Sequence, residues 1–173
     1  MKYYVMQVRS MFEEKYIRLC KNAVSGFDIK LYFPKREYME RRQGKSEKVI
    51  KPVFLGYVFL ELEDSLRIED LQQIFRKVEG FHRFLRSNDD VTEITGRDLE
   101  IILRFLLNKD AIAGISKAYF NEKDKIVITE GPLFGLEGSI LKVDKRKGRV
   151  KVKLDFCSES FTVDLGFETI NKA

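Results

Sequence analysis

The side chains that could do covalent chemistry are few. His82 is the only histidine, and the two cysteines, Cys20 and Cys157, lie far apart with no CxxC or metal-ligand spacing around either. A single imidazole excludes most hydrolytic triads and every His-rich metal site. The cysteines read as free thiols of a reducing compartment. Gly44-Lys45-Ser46 ends like a phosphate-binding loop, but Met39 stands where that loop needs its first glycine. Gly131, Gly135 and Gly138 do not form a dinucleotide fingerprint, because strands flank them and no helix N-terminus is at hand to hold a pyrophosphate. No base, nucleophile or metal constellation emerges, so a non-enzymatic protein without catalytic residue, metal or cofactor is expected.

Charge is the stronger signal. The net charge is +5, yet residues 35–51 hold seven Lys/Arg against three Glu and residues 142–153 hold seven Lys/Arg against one Asp. Mobile cations gathered on one edge suit a phosphate backbone. The candidates are Arg36, Arg41, Arg42, Lys45 and Lys48 in the first stretch, and Lys142, Lys145, Arg146, Lys147, Arg149 and Lys151 in the second. A hairpin kept soluble by its charges is the alternative reading of either stretch. Phosphate contacts orient but do not specify, and base reading needs arginine or glutamine at a base edge. Gln72, Gln73 and Arg76, off the apolar face of a predicted helix, are the residues placed to do this; an ordinary polar helix face reads the same way.

The elements that must position these residues follow from periodicity. The composition, 44% hydrophobic and 34% charged, is that of a globular protein. No apolar run reaches the roughly 18 residues that would cross a bilayer, and the N-terminus lacks a signal-peptide pattern, so a cytoplasmic protein without membrane contact is expected. Residues 2–8 read as a strand. Ser10 with Glu13 forms a capping box that starts a helix with Phe12, Tyr16, Leu19, Cys20 and Ala23 on its apolar stripe, ended by Gly26. A strand over 28–33, a charged hairpin turning at Gln43-Gly44, and a strand over 48–62 come next. A helix over 66–78 and an extended stretch over 80–85 follow. A third helix starts at Thr95, with Leu99, Ile102, Leu103 and Leu106 on its apolar face. The pattern then decays, and short β-branched runs over 125–129, 138–144, 149–156 and 160–165 close the chain, with Lys147-Gly148 as a hairpin turn. The expected fold class is α+β: residues 1–110 with helices on a mixed or antiparallel sheet, a linker over 111–123, and a small β-barrel over 124–173.

Residues 51–62, KPVFLGYVFLEL, are apolar on both sides of a predicted strand: Val53, Leu55, Tyr57 and Phe59 on one, Phe54, Gly56, Val58 and Leu60 on the other. The missing side chain of Gly56 is expected to leave a hollow between rings, next to Tyr3, that suits an amphipathic partner helix. Burial of both faces as plain core is the alternative.

Four segments, YYVMQVRSMFEEK, FLGYVFLEL, VEGFHRFL and VITEGPLFGLEGSILKVD, resemble in order and spacing the NusG family of transcription elongation factors, the last as a KOW motif. The resemblance implies an α/β-sandwich-like N-terminal domain with three helices, followed by an SH3-like KOW barrel. It implies a monomer that binds RNA polymerase on the β′ clamp helices and β gate loop through a concavity including Tyr3, Phe54, Tyr57 and Phe81, with the second helix facing the non-template DNA strand. For the barrel it implies a partner loop at Leu133, Phe134 and Leu136, which in the family meets NusE, Rho or RNA. Leu133 replaces the usual phenylalanine and Leu55 the proline of PGYV. With the basic hairpin, these departures look more like a specialised antitermination paralog of the LoaP type, recognising an RNA hairpin, than the housekeeping factor. A stand-alone RNA-binding or ribosome-associated KOW protein is the rival outside transcription.

Overall fold

The computed structural model describes residues 1–85 and 91–170. The chain falls into two compact units, one of Met1–Phe33 with Phe54–Glu100 and one of Pro34–Val53 with Ile101–Ala173.

The first unit is built on strands β1 (Lys2–Val8), β2 (Ile29–Tyr32), β5 (Tyr57–Leu62) and β6 (Phe81–Phe84), in the order β2-β5-β1-β6, every pairing antiparallel. Alternation along the strands sends Tyr4, Met6 and Val8 of β1 and Val58, Leu60 and Leu62 of β5 to one face. There they form a core with Tyr16 and Cys20 of helix α1 (Glu13–Ala23) and Ile68, Leu71 and Phe75 of helix α2 (Ile68–Lys77). Tyr16 donates to the Phe75 carbonyl at 3.0 Å, which gives the one polar atom of a fully buried ring a partner. Burial pushes the Cys20 thiol up to about 11.

The start of α1 departs from expectation. The N-cap is Phe12, with no side-chain cap, and Ser10 does not close a capping box. Glu13 is instead buried and accepts the Gly56 N–H at 2.6 Å. The helix ends at Ala23, before Gly26, with Val24 as its C-cap. The segment expected as one strand over 48–62 is two: β4 (Lys45–Pro52) ends before a turn at residues 53–56, and β5 begins after it. Gly56, at φ 85°, makes that turn possible. Tyr3 does not neighbour Gly56. It pairs with Glu61, and the space beside Gly56 belongs to Ser10 and Val8.

In the second unit, β3 (Lys35–Arg42) and β4 form a hairpin whose turn residues Gln43 and Gly44 both have positive φ, as a two-residue hairpin loop requires. β3 also pairs in parallel with β7 (Ile112–Ala113). Helix α3 (Gly96–Leu106), whose residues from Ile101 on belong to this unit, buries Ile101, Ile102, Phe105 and Leu106; Leu99 and Leu103, expected on its inner face, are half-buried. Residues 111–123, expected as a linker, contain β7 and β8 (Ser116–Phe120). β8 joins β9 (Ile126–Glu130), β10 (Ile140–Asp144), β11 (Arg149–Phe156) and β12 (Glu159–Thr169) in a sheet ordered β10-β11-β12-β8-β9. The mixed composition of 111–123 hid strands held by neighbours distant in sequence: β8 pairs with β12. Val150, Val152 and Leu154 of β11 point inward, with Lys151 and Lys153 exposed, as the alternation predicts.

Candidate functional site

The second face of the first sheet carries Tyr3, Val5, Tyr57 and Phe59. Tyr3 and Tyr57 are 8% exposed and Phe54, whose ring meets Phe59 at 5.7 Å, is 1% exposed. The rings expected to stand open around a hollow are therefore buried; only Phe81 is half-buried. What the turn at 53–56 presents to solvent is Leu55, 52% exposed. Val8, at the end of β1, donates to the Gly56 carbonyl at 2.8 Å and pairs in register with Phe81, so Leu55 and Phe81 flank the same end of β1.

At the other end of this face, three donors converge on one carboxylate. Tyr3 at 3.1 Å and Tyr32 at 2.8 Å donate to Glu61 Oε2, and Lys30 donates to Oε1 at 2.8 Å. Burial pushes the Glu61 carboxyl up, but the hydrogen bonds from Lys30, Tyr32 and Tyr3 together outweigh it and hold the group below its ordinary value. Burial, then the hydrogen bond and charge of Glu61, raise the Tyr32 phenol. This cluster was not legible in the sequence, because a glutamate within an apolar strand gives no sign of which three donors the sheet will bring to it.

On α2, Gln73 is exposed while Gln72 and Arg76 are half-buried, with Arg76 donating to Gln72 at 3.2 Å. These residues belong to the first unit, and the two basic stretches belong to the second.

The basic stretches fold as hairpins β3–β4 and β10–β11, and the second unit brings them together. Arg149, at the start of β11, lies over the Tyr38 ring at 4.0 Å, donates to the Met39 carbonyl at 3.3 Å and pairs with Glu40 at 3.6 Å. Gly166 of β12 is the point of close approach: a Cβ there would stand 2.8 Å from the Glu37 carbonyl oxygen and 3.0 Å from Tyr38 Cα. A cavity of about 410 Å³ opens between the hairpins, lined by Arg41, Ser46, Arg146, Lys147 and Arg149 with Met39 and Glu40. A smaller hollow of about 150 Å³ shares Lys147 and Arg149 and adds Lys142 and Lys151 with the acids Asp144 and Asp164.

Not every predicted cation is available there. Arg36 is half-buried, donates to the Pro52 carbonyl, and leaves its Nε buried without a partner. Arg42 is exposed and pairs with Glu40 at 2.7 Å. Lys45 is exposed at the turn. Lys145 pairs with Asp124 and lies over the Phe120 ring at 4.2 Å. The Lys147 N–H donates to Asp144 at 2.9 Å, and this bond more than any other effect keeps the Asp144 carboxyl below its usual range. Tyr38 and Gly166 were missed. Gly166 lies inside β12, where glycine marks a close backbone approach, but the β-branched run in the sequence ends at residue 165, so only a strand extended past that run would include it.

The glycine-rich turn before β10 holds Leu133 and Leu136 buried and Phe134 55% exposed. Gly131, at φ 97°, lets the turn run against Ser116, whose hydroxyl accepts the Leu133 N–H at 3.0 Å. Arg104 of α3 donates to the Phe134 carbonyl. Of the three predicted loop residues, Phe134 alone is presented.

An α+β fold with two helices on a four-stranded antiparallel sheet in one unit, and a five-stranded sheet with a glycine-rich loop in the other, defines the class. The model of the family described as "Transcription termination factor nusG" matches residues 1–103, and the chain belongs to the NusG family. Relatives called "Transcription termination/antitermination protein NusG" include that of Haemophilus influenzae, 26% identical and aligned over 99% of this chain and 94% of its own. That of Borreliella burgdorferi is 27% identical, over 98% and 97%. The solved structure "Domain interaction in Thermotoga maritima NusG" covers 95% of this chain and 93% of its own at a TM-score of 0.59 and 22% identity, a likeness of fold. Among the described residues, no group of three or more His, Cys, Asp or Glu could hold a metal ion, and no helix is long and apolar enough to cross a membrane.

Proposed function

We propose that this protein is a transcription elongation factor that binds RNA polymerase through its first unit, touches nucleic acid through basic hairpins of its second, and promotes processive antitermination. The observation that carries the reading is the family match over residues 1–103, supported by relatives named for termination and antitermination that align with nearly the whole chain. Since Tyr3, Phe54 and Tyr57 are buried, the reading assigns them to shaping the polymerase surface from beneath. The contacts themselves fall to Leu55 and Phe81 at the end of β1. Two tethered sites of modest strength hold a factor on a moving polymerase by avidity. Affinity capture from a nuclease-treated lysate tests it. Polymerase retained by the wild type and lost with Leu55→Asp, at unchanged thermal unfolding, is the expected result. Polymerase absent after nuclease rejects the reading in favour of a stand-alone RNA-binding protein.

The names of the relatives favour a second reading, a general factor that couples polymerase to Rho or NusE through the exposed Phe134 loop. The seven cations against one acid in residues 142–153 support the specialised, LoaP-type reading, with an RNA hairpin as target. Pull-down with purified Rho and NusE separates the two: retention of either identifies the general factor.

A further inference from the structure

We propose that the two basic hairpins of the second unit form a single cleft for the phosphodiester backbone of a nucleic acid, with Arg149 as the residue that holds its two walls together. This rests on the nucleic-acid reading above and adds that stretches separated by about a hundred residues act as one site.

Position is the first argument. Gly166 lets β12 run against the backbone of β3 at Glu37 and Tyr38, and β12 pairs along its length with β11, so the first hairpin is laid beside the second by the sheet itself. Arg149 then spans the junction by three contacts to consecutive residues of β3: the ring of Tyr38, the carbonyl of Met39 and the carboxylate of Glu40. A guanidinium stacked and bonded in this way is a fixed strut. Arg41, Lys45 and Lys142 are exposed beside it.

Charge is the second. The carboxylates beside the cleft are already engaged: Glu40 with Arg42 and Arg149, Asp144 with Lys147, Asp164 with Lys151 at 3.9 Å. Arg41, Lys142 and Arg146 line the same hollows and, among the described residues, have no carboxylate at ion-pair distance. Unneutralised cations on a concave wall focus positive potential, whereas the same charges on a convex face are screened separately. The ligand that matches is an extended anion. The two hollows share Lys147 and Arg149 in their linings, and long flexible side chains line both, which suits successive phosphates better than one small anion held by backbone amides.

Anisotropy titration of the full chain against a labelled short RNA duplex, the matching single-stranded RNA and the matching DNA duplex, over a series of salt concentrations, tests the cleft. The wild type is expected to bind with log affinity falling linearly with log salt. Arg41→Gln on one hairpin and Arg146→Gln on the other are each expected to weaken binding several-fold and to lower the slope by about 0.7–0.9, one phosphate contact apiece. Gly166→Ala, which changes no charge but wedges β12 from β3, is expected to weaken binding too, while Lys21→Gln on α1 leaves it unchanged. The probe bound most tightly names the source of the backbone. If Arg146→Gln weakens binding while Arg41→Gln does not, the hairpins are separate surfaces and the single cleft is overturned, although nucleic-acid binding stands. If none of the probes binds the wild type with a salt slope, the cleft and the nucleic-acid reading both fall. Should Gly166→Ala unfold the unit, the Arg41→Gln titration decides alone.

Discussion

β4 and β5 follow each other in the chain with only residues 53–56 between them, and their fates are opposite. All six residues of β5 are buried, whereas in β4 only Val49 and Pro52 are even half-buried. Composition already separates them, since β4 carries Lys45, Glu47, Lys48 and Lys51 while Glu61 is the one charged residue of β5. Place in the sheet does too. β5 lies between β2 and β1, while β4 is the edge of the order β4-β3-β7. An edge strand studded with lysines resists pairing with another chain, and a central strand needs apolar residues on both sides. The difference teaches that apolar density and place in the sheet agree: the strand rich in apolar residues takes the central position and the charged one takes the edge.

The largest effect that would break or sharpen this contrast comes from truncation. Phe59→Ala in β5 removes a fully buried ring packed on Phe54, and a loss of about 3–5 kcal/mol is expected in urea unfolding. Ile50→Ala in β4, at a side chain 46% exposed, is expected to stay within about 0.5 kcal/mol. Equal losses would mean that β4 is as much a part of the core as β5.

The turn that separates the two strands gives the next effect. Glu13→Ala leaves the buried Gly56 N–H without its acceptor, at a cost of about 1–3 kcal/mol, and Glu13→Gln, which keeps an acceptor oxygen, should recover most of it. Gly56→Ala places a Cβ 3.0 Å from Ser10 Oγ on a backbone at φ 85°, and about 1–2 kcal/mol is expected for the left-handed conformation alone. Thermal unfolding reads both. A neutral Glu13→Ala would show that the turn needs no latch and that β4 and β5 are kept apart by their sheets alone.

Much of the fold was legible. The alternation of β11, the glycine turn at Gln43-Gly44 and the helical spacing of Ile68, Leu71 and Phe75 each dictate an element by local rules. What escaped was whatever depends on a distant partner. Residues 111–123 lack a local pattern because β7 and β8 are specified by pairing with β3 and β12. Glu13 sits where a capping box would use it, yet the N–H it satisfies lies at Gly56, 43 residues away in the chain. The two basic stretches were legible one at a time. Their juxtaposition was not, because it depends on a glycine in β12 and on a tyrosine that reads as an ordinary strand residue. The rings of 53–59 carried the right chemistry for a docking surface, but exposure is a property of what covers a strand.

The smallest effect tests the one charge that β5 buries. Glu61 titrates below the ordinary glutamate value when folded, because Lys30, Tyr32 and Tyr3 bond its charged form, so the unfolded chain takes up the proton first as pH falls. The stability this adds is therefore fully present above about pH 5, shrinks as pH falls through the unfolded value near about 4.3, and is gone below the folded value. Lys30, the cationic partner, is 59% exposed, so the increment is expected to be only about 0.2–1 kcal/mol at neutral pH. Glu61→Gln keeps the shape and an acceptor but cannot titrate. Subtracting its urea stability from that of the wild type between pH 3 and 7 isolates the group from the other depressed carboxylates, Glu40, Glu79 and Asp144 among them. A difference that is positive at pH 7 and closes toward acid is the expected curve. A difference that is flat with pH would mean that the folded and unfolded carboxyls titrate alike, and that the three donors do not favour the charged form of Glu61.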